Sequence, residues 1–133
     1  MNVYVFGNED FEGDKVGIEV ANKLQGKIDD VKFIFVKPNE DAPFIGEAHV
    51  VILDAIEGTD EIVQIGDDKI DDLILPPRST AHDFDLSFQL KYLKKLGKIG
   101  KVTIIGLPMK GKIDYFLIQS ILRKLVAQDM QGS

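Results

Sequence analysis

Asp14, Asp54 and His82 are the residues of this 133-residue chain best suited, by type and context, to do chemistry. Asp14 closes an acidic loop with Glu9, Asp10 and Glu12, after the apolar run Val3-Tyr4-Val5-Phe6 and the break Gly7-Asn8. Asp54 follows the wholly apolar stretch Val50-Val51-Ile52-Leu53. His82 comes after Ser79-Thr80-Ala81, where a helical pattern begins. Two carboxylates and one imidazole can hold a divalent cation and leave coordination positions open. With one nitrogen donor and no thiolate, such a site is weak, and its engagement falls in mild acid because the imidazole must be neutral to ligate. Each residue also has a plainer reading. Asp14 is equally a solvated loop residue or helix cap, Asp54 a polar strand end, and His82 an ordinary first-turn residue; spacing alone does not choose.

The elements that must position them follow from hydrophobic periodicity. Residues 3–6 read as a buried strand, and Val16, Val20 and Leu24, four apart, as a helix from about Asp14 to Leu24 stopped at Gly26. Residues 31–36 (VKFIFV) and 49–53 (HVVIL) are the second and third strands, with a short helical turn between them over residues 40–47. Residues 62–65 and 70–75 flank Gly66-Asp67-Asp68-Lys69, which reads as an antiparallel hairpin at a sheet edge. A second long helix opens after Thr80, with Asp83 and Asp85 in its first turn and Lys91, Lys94 and Lys95 near its end, as the helix dipole favours. Residues 101–105 (KVTII) are the last strand, and Ile113, Phe116, Leu117, Ile121 and Leu125 mark the last helix, with a frayed tail expected after Ala127. Alternating strands and helices imply a three-layer α/β sandwich: a mostly parallel twisted sheet of about five strands, helices on both faces, in one domain over residues 1–133. If the first and third strands are neighbours, the chain leaves them in opposite directions and opens a crevice at their C-terminal ends, where Asp14, Asp54 and His82 can meet.

Composition removes several alternatives. The first-strand loop lacks both G-x-G-x-x-G and G-x-x-x-x-G-K-[ST], and its four carboxylates repel an anion, so a phosphate-binding or flavodoxin-like role is disfavoured. The absence of cysteine excludes disulfides, thiolate metal sites and cysteine nucleophiles, and fits a cytoplasmic location. The net charge of −6 argues against nucleic acid and anionic membrane as partners. No apolar run approaches the ~20 residues of a membrane span. His49 reads as structural, the Asp67-Asp68 and Asp71-Asp72 pairs as turn and solvated-face charge, and Arg78 as an ordinary loop residue or a contact to a partner's main chain or carboxylate. No paired Ser/His motif suggests an acyl-enzyme nucleophile.

Three stretches together resemble the hydrogenase maturation endopeptidases, which process the large subunit of nickel–iron hydrogenases. They are Gly7-Asn8 with Asp14 and Gly17, the strand end Ile52-Leu53-Asp54-Ala55, and the Ser79-Thr80-Ala81-His82 approach to a helix. The resemblance extends from Val3 to about Leu125. It implies an aspartyl-like endopeptidase that removes a C-terminal extension from the large-subunit precursor, with Asp14, Asp54 and His82 both as metal contacts and as the catalytic constellation. It further implies that nickel arrives bound to the precursor as the recognition element, and that cadmium or zinc can take the same place. A monomer and no membrane insertion are expected. A non-catalytic nickel- or hydrogenase-binding factor of the same fold is the alternative. Glu9, Asp10 and Glu12 have no assigned task.

Overall fold

The computed structural model describes residues 1–7, 15–36, 42–56, 58–69 and 81–131, and for 81–87 the backbone alone. In chain order the elements are β1 (Asn2–Val5), α1 (Val16–Leu24), β2 (Lys32–Phe35), β3 (His49–Ile56), β4 (Val63–Ile65), a 3-10 turn (Asp67–Lys69), α2 (Ala81–Lys95), β5 (Lys101–Pro108) and α3 (Tyr115–Gln131). The five strands form one sheet in the order β2-β1-β3-β5-β4. All neighbours are parallel except β4, which pairs antiparallel with β5 at the edge. The mostly parallel α/β sheet expected from the alternation is therefore present.

The sheet's two faces carry separate cores because successive strand residues point to opposite sides. Val3, Val5, Val51, Leu53, Ile105 and Leu107 face α1 and α3, which contribute Val20, Leu24, Ile118 and Leu122. Tyr4, Phe6, Val50, Ile52, Val102 and Ile104 face the other way, against Leu90 and Leu93 of α2 and the buried ring of Phe44. β3 is buried along nearly its whole length, as a central parallel strand covered on both faces must be. Tyr4 packs edge-on to Phe44 with centroids 5.4 Å apart. Its phenol is pushed up to about 12, first by burial and then by the neighbouring Glu47 carboxylate.

Three local expectations change, and a fourth, the hairpin, falls partly outside the described residues. The antiparallel edge is made by β4 on β5; residues 66–69 end in a 3-10 turn, and residues 70–75, the other half of the expected hairpin, lie outside the described residues. Asp67 drives that turn elsewhere, since its carboxylate accepts the Val102 N–H at 3.0 Å and pairs with Lys94. Residues 43–46 form a turn without helix; of the expected 40–47 stretch, 40–41 lie outside the described residues. β3 and β5 each run three residues further than their apolar cores suggest, because they pair with each other over eight positions, from His49↔Lys101 to Ile56↔Pro108. Finally, α3 persists to Gln131, where fraying was expected. The reason is a tertiary bond: His49 Nδ1 donates to Asp129 at 2.7 Å, while His49 Nε2 lies 2.8 Å from Thr103 Oγ1. His49 thereby has the structural role its position suggested.

Candidate functional site

β1 and β3 are neighbours, paired from Val3↔Val51 to Val5↔Leu53. From β1 the chain passes through α1 to β2 on one side; beyond β3 the sheet continues to β5 and β4 on the other. The β1/β3 gap is thus the point where strand order reverses, and in open α/β sheets ligands bind beside the carboxyl ends of the strands there. The gap is closed by backbone. Phe6 N donates to Leu53 O at 3.0 Å, extending the pairing beyond β1. Gly17, second residue of α1, sits so close to this point that a Cβ would lie 2.9 Å from Phe6 O. Only glycine lets the helix start this near the strand ends.

Asp54 lies two residues before the end of β3 and is 4% exposed. Strand alternation puts it with Val50 and Ile52 on the α2 face. On one side its neighbour on that face is Phe6, the residue after the Val5↔Leu53 pair. On the other its register partner is Gly106, where a Cβ would collide with Ile56 Cδ1. The Ile56 side chain therefore lies over Gly106, in space that any larger residue there would contest. A carboxylate this buried must be matched by hydrogen bonds, opposite charge or a bound cation, because desolvating it costs several kcal/mol otherwise.

α2 supplies the third candidate. Its C-terminal end is tied to the start of β5, through Lys94 to Asp67 and through Asp67 to Val102 N–H. The Lys94 ammonium, with the Val102 N–H, holds the Asp67 carboxyl below the usual carboxylate range against the opposing effect of burial. Gly97 turns the chain in the left-handed region (φ 70°), and Lys98 N closes the end on Leu93 O at 2.9 Å. From that anchor the fifteen-residue helix extends back about 22 Å towards the C-terminal edge of the parallel strands. His82 is the second residue of α2, eight positions before Leu90, which packs on the sheet face that carries Asp54. The His82 side chain and the whole of Asp14 lie outside the described residues, as do Glu9, Asp10, Glu12 and Arg78. Among the described residues no three His, Asp or Glu side chains converge as metal ligands. Nor is any described helix long and apolar enough to cross a membrane.

Two contributors escaped the sequence reading. Gly106 falls just past the expected last strand, residues 101–105, although its lack of side chain shapes the ground beside Asp54. Phe6 looked only like core. Pairing between β1, β3 and β5, which no local pattern reveals, gives both their meaning.

No family model matches the chain, and no curated protein matches it by sequence. Solved structures do match. The hydrogenase maturating endopeptidase HybD from E. coli superposes with a TM-score of 0.65 at 17% identity, over 99% of this chain and 94% of its own. The [NiFe] hydrogenase maturation protease HybD from Thermococcus kodakarensis gives 0.62 at 20% identity, over 94% and 99%. A hydrogenase 2 maturation peptidase from a Thaumarchaeota archaeon gives 0.52 at 21%, over 97% of both chains. At these identities the likeness establishes a shared fold from end to end.

Proposed function

We propose that the chain is an endopeptidase that trims the C-terminal extension of a nickel–iron hydrogenase large-subunit precursor. Asp14, Asp54 and His82 are its metal-engaging residues, and nickel comes with the substrate. The observation that carries this reading is Asp54, a carboxylate nine-tenths buried, near the C-terminal end of a central strand beside the β1/β3 switch point. Such a group is costly, and it stands where α/β folds bind ligands. The shared fold with three hydrogenase maturation proteases supports the substrate class. The three-residue resemblance supports the division of roles.

The donor chemistry fits a borderline divalent cation held mainly by another protein. Two carboxylates and one imidazole favour nickel, zinc or cadmium over magnesium or calcium, which prefer all-oxygen shells. When present, such a cation polarises a peptide carbonyl or a water beside it. The chain's own contribution is placement. Gly17 admits the start of α1 to the strand ends, Gly106 makes room beside Asp54 for the Ile56 side chain, and α2 begins with Ala81-His82.

The test incubates the purified protein with nickel-loaded large-subunit precursor and follows loss of the C-terminal tail by intact mass. Wild type should cleave, and Asp54→Asn and His82→Ala should each lose at least about 100-fold in rate while keeping wild-type circular dichroism. No cleavage by wild type removes the proteolytic reading. Equal cleavage by the variants removes the residue assignment.

A further inference from the structure

The outer face of α2 is built unlike a solvated helix face. Leu90 and Leu93 turn into the core, and at about 100° per residue Phe88 and Tyr92 point the opposite way. Phe88 is 68% exposed, Tyr92 56% and Leu96, just past the helix, 50%. The two rings stack nearly parallel, 5° apart in plane with centroids 6.5 Å apart. A helix that is apolar on both sides normally buries both; here only one side meets the sheet. The charge around this stripe is also distinctive. From Phe88 to Lys101 the chain has five lysines and no Asp or Glu, within a protein of net charge −6. Lys94 is committed to Asp67, and Lys91, Lys95 and Lys98 flank the stripe.

We infer that the Phe88–Tyr92–Leu96 stripe is a docking surface for another protein, and that its partner presents an apolar helical segment bordered by Asp and Glu. Three features choose this occupant. The stripe spans nine residues, about 12 Å from first to last, which matches about two turns of a partner helix. The lysine border requires an acidic counterpart, since charge complementarity sets partner choice at an interface rim. In a symmetric pairing of two copies through this stripe, Lys91 and Lys95 would face lysines of the second copy, which disfavours self-association. An anionic membrane or a nucleic acid would accept the aromatics and lysines but meets the chain's overall negative charge. The inference stands on α2 alone and does not depend on the reading of Asp14, Asp54 and His82.

A photo-crosslinking residue placed at Tyr92 in the full chain, expressed in its host cells, tests this. The crosslinked peptides are sequenced by mass spectrometry, and the captured segment is synthesised for titration against the purified protein. The expected result is a segment with apolar residues at helical spacing and flanking Asp or Glu. Its affinity should fall at least about tenfold in Phe88→Ala and in Lys91→Glu/Lys95→Glu, weaken with added salt, and be unchanged in Asp54→Asn. Crosslinks only to this chain itself, to lipid or to nucleic acid overturn the inference. So does a captured segment without acidic residues, or no crosslink above that of the same label at the exposed position Lys27.

Discussion

Gly17→Ala sets two well-defined effects against each other. Alanine is the better helix former and has the stiffer unfolded chain, which together favour the variant by up to about 1 kcal/mol. Against this, the new Cβ would lie 2.9 Å from Phe6 O, where ordinary contact begins at 3.4 Å. The atom in the way is a backbone carbonyl, and Phe6 is held by its own N–H bond to Leu53 O at 3.0 Å. Leu53 O and Val5 Cγ1, both 3.7 Å from the added carbon, block sideways relief. Overpacking against groups that cannot yield costs about 1–3 kcal/mol and occasionally more. The clash should win, leaving the variant about 1–2 kcal/mol less stable, with a melting temperature lower by about 4–8 °C for a chain of this size. Urea denaturation and calorimetry of wild type and variant measure both numbers. A Gly17→Ala protein as stable as wild type, or more so, would refute the close approach of α1 to the β1/β3 strand ends. Precursor cleavage should fall in parallel, since α1 starts at the edge of the proposed crevice.

Two further outcomes follow from buried polar groups of the sheet. Tyr4 stays neutral in the folded protein up to about 12, whereas in the unfolded chain it ionises near 10, so its contribution is complete below pH 10 and is lost as pH rises through 12. Between pH 9.5 and 12 wild type should lose about 2–3 kcal/mol more stability than Tyr4→Phe, measured by urea denaturation; equal losses would contradict the buried phenol. At the start of β3, His49→Ala should cost about 1–3 kcal/mol because it leaves the buried Thr103 hydroxyl without its imidazole partner, and Asp129→Ala less, because Asp129 is partly exposed. A double-mutant cycle should return a coupling of about 0.5–1 kcal/mol, with faster amide exchange in the last turn of α3; strictly additive losses would show that the pair does not hold that turn.

Much of the architecture was legible because local patterns record burial. Residues 50–53 are apolar without interruption because β3 is covered on both faces, and the four-residue spacing of Val16, Val20 and Leu24 is the buried stripe of α1. Asp54 stood out for the same reason: a carboxylate directly after an unbroken apolar run is conspicuous in any sequence. Where the reading went astray, the deciding interaction was long-range. Asp67 reads as mere turn charge, yet its carboxylate is satisfied by Val102 and Lys94, 35 and 27 positions away. The tail after Ala127 is polar enough to fray, yet Asp129 meets His49, 80 positions earlier.

The division has a physical basis. By itself the sequence determined the order of the main strands and helices, that the first loop is too acidic for phosphate, and that Asp54 would be an expensive group to bury. Periodicity and charge are local, and these conclusions need nothing else. The tertiary structure alone decided that β1 and β3 are neighbours and that Asp54 shares a sheet face with α2. It alone decided that Gly17 and Gly106 matter for the space a side chain would have filled. It also left Phe88 and Tyr92 uncovered, a fact invisible in a helical pattern that places apolar residues on both sides of α2. Strand order and helix placement are settled by which surfaces the whole chain can bury at once, and no window of neighbouring residues contains that information.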